Sequence, residues 1–165
     1  MAGLIDDLIT LIHEQAEDFS DLAALAHEKT EAIIKNDLEH LQKITDIENT
    51  LVGKNQKSER RRAGLFNDIS TVLNTDAATL TISRLVELLD GQPGCDELNK
   101  AGILLREKAD ELKTINEQNR ALIENSLEYI DFSMNLMRSS QTPPSHYGRD
   151  GSEMSGGSTF FDAKQ

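Results

Sequence analysis

The sequence predicts an all-α fold: an elongated antiparallel helical bundle or coiled coil of three long helices and one short one, ending in a disordered tail. Three observations predict it. Apolar residues recur at three, four and seven positions along most of the chain, the period of a helix that buries one face. Two of the breaks in that rhythm, "KND" and "DGQPG", carry helix-cap and turn residues. The chain has no Trp, and Leu, Ile, Ala and Glu are abundant in it, a composition that suits amphipathic helices better than sheets.

The first helix starts near residue 4. Ile5, Ile12, Phe19, Ala26 and Ile33 repeat every seven residues beside Leu4, Leu11, Leu25 and Ala32, with Leu8 and Leu22 completing the stripe. Asn36 or Asp37 caps the second helix, whose stripe begins with Leu38, Leu41, Ile44, Ile47 and Leu51 and ends with Leu65, Phe66, Ile69, Val72 and Leu73. Between these lies "GKNQKSERRRAG", residues 53–64, with no large apolar side chain. It is either a solvated or broken piece of helix or a register device. Residues 1–52 carry 12 acidic and 3 basic side chains, whereas residues 53–64 carry 1 and 5. In a hairpin turning at residues 36 and 37, position i faces roughly 73 − i, which sets Lys54, Lys57 and Arg60 to Arg62 beside Glu14, Glu17, Asp18 and Asp21. Complementary blocks of that kind favour one register over slipped ones.

A short third helix is predicted over about residues 79–90, closed by "DGQPG". Cys95 follows as a small residue near a helix start, and as the only cysteine it forms no disulfide within the chain. The fourth helix is expected from about Asp96 to Arg138. Leu98, Ile103, Leu105, Ala109, Leu112 and Ile115 give its first half an amphipathic face.

Its second half, "NEQNRALIENSLEYIDFSMNLM", is over-apolar. At ~100° per residue from Leu122, the residues Ile123, Leu127, Ile130, Met134 and Met137 fall at about 60–140°. Leu122, Tyr129, Phe132 and Leu136 fall at about 280–360°, so the two clusters together span about 220°, against the ~100° or more that one core needs. Either the bundle wraps this helix on both sides, or one cluster docks another protein's helix. The docking face is expected to be Leu122, Tyr129, Phe132 and Leu136, with the opposite cluster packed on the first two helices. Asn116 and Asn119 interrupt the apolar seam just before it; buried, such amides fix register, and exposed they do nothing special.

Residues 139–165 form a Ser/Gly/Pro-rich stretch that nevertheless holds Tyr147, Phe160 and Phe161, three of the chain's seven aromatic residues. This sets a helical domain, residues 1–138, against a flexible tail. The aromatics are either anchors on a mobile arm or incidental members of a solubilising tail.

Chemistry is sparse. With 29 acidic and 17 basic residues the net charge is −12, which repels nucleic acid and anionic lipid. No run is long enough to span a membrane and the N-terminus lacks signal-peptide character, so a soluble cytoplasmic protein is expected. Only His40 has a carboxylate three residues before it, Asp37, so the paired Glu-x-x-His pattern of di-iron bundles is absent. No cofactor, metal or enzymatic activity is expected.

The last helix with Asn116, Asn119, Leu122 and Ile123, then Tyr147, Gly148, Asp150 and Gly151, then Phe161, Asp162 and Lys164, resembles the FlgN family of flagellar type III export chaperones. Arg149 stands where that family often has Pro, and Gln165 where it often has Ala. The resemblance implies a cytoplasmic chaperone that binds terminal helical segments of hook-associated (hook–filament junction) proteins. It implies that premature assembly is prevented and that the client is delivered to the export gate and ATPase complex. The client-binding residues are then Asn116, Asn119, Leu122, Tyr129, Phe132 and Leu136, with Tyr147, Gly148, Asp150, Gly151, Phe160 and Phe161 as tail anchors. A monomer or weak homodimer suits that role. The rival is a structural or adaptor coiled coil with no client-release cycle, which a permanent dimer centred on the last helix would indicate.

Overall fold

The computed structural model describes residues 1–140, and these are all-α, with no strand among them. The described residues divide into two units, Met1–Tyr129 and a second that begins at Ile130. Four helices are present: α1 (Ala2–Lys35), α2 (Leu38–Leu73), α3 (Ile82–Leu88) and α4 (Cys95–Ser140), with a 3₁₀ turn at Ala77–Thr79 before α3. The expected third helix, residues 79–90, is therefore shorter and splits at Leu80 and Thr81, both in extended backbone. The Thr81 side chain caps α3 by accepting from the Arg84 amide.

The α1–α2 turn is made by two residues. Asn36 takes the left-handed conformation at φ 55°, and the Asp37 amide reaches back to the Ala32 carbonyl. The Asp37 carboxylate then caps α2 by accepting from the His40 amide at 3.0 Å. Asn74 ends α2 the same way at φ 53°.

α1 and α2 run antiparallel. Asp18 was expected opposite residue 55, and its Oδ1 accepts from Lys54 Nζ at 2.7 Å. Arg61 pairs with Glu14 at 3.6 Å, Lys29 pairs with Glu48 at 2.7 Å, and Gln15 Nε2 donates to Glu59 at 3.0 Å. The basic run is continuous helix within α2, and Lys54, Arg61 and Arg62 from it do meet α1.

α1 is the central helix. Thirteen of its residues are buried, against four on α2, which explains why Leu38, Ile47 and Val72 of the predicted second stripe stand exposed. The main core joins Ile5, Leu8, Ile9 and Ile12 of α1 to Ile69 of α2, Leu85 of α3, and Leu98, Ala101 and Leu105 of α4. Burying each large aliphatic side chain is worth ~1.5–3 kcal/mol. A smaller cluster carries the contact onward through Ala23, Ala26, Leu112 and Ile115. On α4, Ile103 is 52% exposed, contrary to expectation. It lies two residues from both Ala101 and Leu105, hence ~200° around the helix from each, and Ala101 takes the core position instead. Cys95 opens α4 as a buried small residue, its thiol directed at the Val86 carbonyl.

Two buried polar residues sit where the heptads suggested only packing. Gln15 is fully buried and accepts from Arg62 while donating to Glu59. Asp18 is 1% exposed, and its second oxygen, Oδ2, has no hydrogen-bond partner among the described residues. The hydrogen bond to Asp18 and the charge of that carboxylate raise the Lys54 pKa above its ordinary 10.5. A raised lysine pKa stabilises the fold fully below its unfolded value, and the contribution is lost as pH rises through the folded value. Urea denaturation of the wild type and of Lys54→Met is therefore expected to give a stability difference that is constant from neutral pH up to 10.5 and narrows only above it. A gap that closes at neutral pH would show that the pair does not fix the hairpin.

A candidate docking surface on the last helix

α4 lies along α1 in parallel. The Asn119 carboxamide donates to the Ala26 carbonyl at 2.8 Å, 93 positions away, and its oxygen accepts from the Thr30 hydroxyl, 89 positions away. The same offset brings Lys35, the end of α1, level with residues 124 to 128 of α4. From that level to Tyr129, where the first unit ends, α1 no longer runs beside α4.

The helix phase does not change there. Leu98, Ala101, Leu105, Leu112, Ile115, Asn119 and Leu122 follow a heptad register, and all are buried or half-buried. Continuing that register passes through Ser126, Tyr129, Ser133 and Leu136. Tyr129, in the first unit, is 71% exposed. In the second unit, of which residues 130–140 are described, Phe132 is 61% and Leu136 54% exposed. Tyr129 and Leu136 are thus core-type positions with large side chains in water, each following a serine of the same register.

Within the first unit the opposite cluster, at Ile123 and Leu127, does not pack on α1 and α2 as expected. Ile123, Leu127, Ile130, Met134 and Met137 are all exposed. The reason is directional. Ile115, Asn119 and Leu122 place the inner line of α4 at about 0–60° on the wheel, between the two clusters, which leaves Ile123, Leu127 and Tyr129 of the first unit exposed to either side of it. Glu117, Glu124, Glu128 and Asp131 occupy the remaining arc, at about 180–240°.

The two asparagines have different surroundings. Asn119 is 3% exposed and bonded to α1, which makes it the register device of the seam and not an accessible contact residue. Asn116 is exposed and lines a groove of ≈ 500 Å³ between α2 and α4. Asn49 and Val52 form the α2 wall, and Leu112 and Ile123 lie on the α4 side. The ion pairs Lys29–Glu48 and Arg120–Glu124 also border it. Val52 and the groove were not legible beforehand, because the sequence does not show how far apart two helices stand. Tyr147, Gly148, Asp150, Gly151, Phe160 and Phe161 lie outside the described residues.

Among the described residues no group of three or more His, Cys, Asp or Glu is placed to hold a metal ion. No helix among them is long and apolar enough to cross a membrane. A protein-family model described as FlgN protein matches residues 1–155. No curated protein matches the chain, and neither does any solved structure.

The two amides are expected to differ under substitution. Asn119→Ala deprives α1 of a buried partner and should cost ~1–3 kcal/mol of stability. Asn116→Ala, on the exposed wall, should stay within about 0.5 kcal/mol of the wild type. Urea unfolding followed by circular dichroism measures both, and equal effects would contradict the division of roles.

Proposed function

As the chain belongs to the FlgN family, we propose that it is a cytoplasmic flagellar export chaperone for hook-associated proteins. It holds a client's terminal helical segment on α4, keeps that segment from assembling early, and passes the client to the type III export gate. The observation that carries this reading is the seam of α4. Its heptad register runs on through Tyr129 and Leu136 although α1 ends level with residues 124 to 128, and both side chains stand in water. A helix with unfilled seam positions is a receptor for another amphipathic helix. Segments that are disordered before assembly can supply one, folding as they bind.

Leu122, Tyr129, Phe132 and Leu136 form the primary face in this proposal, with Asn116 beside them and Asn119 acting through the register of the seam. Tyr147, Phe160 and Phe161 add a tethered second contact, with Gly148, Asp150 and Gly151 in the same tail segment. Weak contacts gain from such tethering by raised effective concentration.

Tyr129→Ala with Phe132→Ala is expected to weaken binding of a hook-associated protein at least about tenfold, on the scale of one lost hot spot. Far-ultraviolet dichroism and the unfolding midpoint should stay close to wild type, since both side chains are largely exposed. A variant that melts instead would make them core. Deleting residues 141–165 should lower client affinity or export; wild-type values for both would remove the tail from the proposal.

A further inference from the structure

The width of the exposed apolar arc bears on the shape of the client, an argument that rests on the client-binding reading above. A single docked helix covers a stripe of roughly 100° or somewhat more on its receptor. The arc on α4 spans about 220°, with exposed residues along both of its sides. One side is the seam, through Leu122 and Tyr129, which continues the packing made upstream by α1. The other side begins in the groove against α2, at Asn116 and Ile123, and continues to Leu127. Upstream, two helices stand against these two sides. α1 fills the seam, and α2 faces the second side across the groove, with Val52 44% exposed on the far wall.

We infer that the client presents two apolar helical surfaces to α4: one continues the α1 seam, and the second lies in the α2–α4 groove and along Ile123 and Leu127. Its chemistry follows from the walls. The second surface must be aliphatic where it meets Val52, Leu112 and Ile123, and it must carry polar groups able to pair with the amides of Asn49 and Asn116. An unpaired charge on it would be poorly placed, because the lysine and the arginine that border the groove are already engaged with Glu48 and Glu124.

Asn125 and Leu127 test this. They are exposed neighbours two positions apart, so they point ~160° away from each other, Asn125 on the seam side and Leu127 on the groove side. Asn125→Cys and Leu127→Cys would be labelled separately with a soluble maleimide, with and without a saturating purified hook-associated protein. The buried native Cys95 serves as the slow internal reference. Labelling is expected to slow at both positions by about tenfold or more in the complex, as thiol reactivity follows access. Protection at one position alone would overturn the two-surface inference and leave the chaperone reading standing. Failure of any complex to form, by light scattering, would overturn both.

Discussion

The structure depends on the shared use of α1. That helix buries residues on both of its sides, with α2 held along one by salt bridges and hydrogen bonds and α4 along the other by apolar packing. Ile5, Leu8, Ile9 and Ile12 reach every other helix of the main core. α2 and α4 are covered mainly where α1 reaches them. α1 ends level with residues 124 to 128 of α4, so the last residues of the first unit, Leu127 and Tyr129, stand exposed. Their exposure is a consequence of helix length and offset, and no special motif creates it.

Length alone would not fix the offset, because a heptad seam tolerates a slip of one repeat at little cost in packing. Polar groups remove that freedom. Asn119 finds the Thr30 hydroxyl only in the observed register, and a seven-residue slip would put Ala23 or Asp37 in its place. Gln15 and Asp18 play the same part for α1 and α2. Such groups contribute little net stability and much specificity, for a buried charge or amide that loses its partner costs more than the pair returns. Asp18 shows the cost directly, with one oxygen bonded to Lys54 and the other left without a partner among the described residues.

Much of this was legible in the sequence for a physical reason. Helix periodicity and capping are local, so Asn36, Asp37 and the starts of α1 and α2 follow from the chain itself. The turn at residues 36 and 37 also placed the hairpin register, in which Asp18 falls opposite residue 55 and meets Lys54, as the complementary charge blocks favour. What could not be read were quantities set by tertiary spacing. Ile103 and the Ile123 cluster were assigned inward because a wheel gives the separation of faces and not the direction of the core. The roles of Asn116 and Asn119 diverge because Asn119 is buried and bonded to α1 while Asn116 stands exposed, although both border the groove, and the N-x-x-N spacing is silent about that. The 3₁₀ turn before α3 came from a "TDAATLT" stretch that carries two possible caps, Asp76 and Thr81, both of which are used.

The over-apolar stretch also has to be tolerable when nothing is bound. Exposed aliphatic and aromatic side chains forgo ~1.5–3 kcal/mol each relative to burial, which drives self-association unless something opposes it. Glu117, Glu124, Glu128 and Asp131 on the remaining arc, within a chain of net charge −12, supply that opposition. Ser126 and Ser133 interrupt the seam and keep the exposed strip from being continuous. The same features limit affinity for a client helix. A disordered segment gives up ~2–5 kcal/mol or more in ordering itself on the surface. Two serines in place of seam leucines reduce the return. Under the proposed function, a receptor built this way would hold its client firmly enough to prevent assembly and weakly enough for the client to be let go.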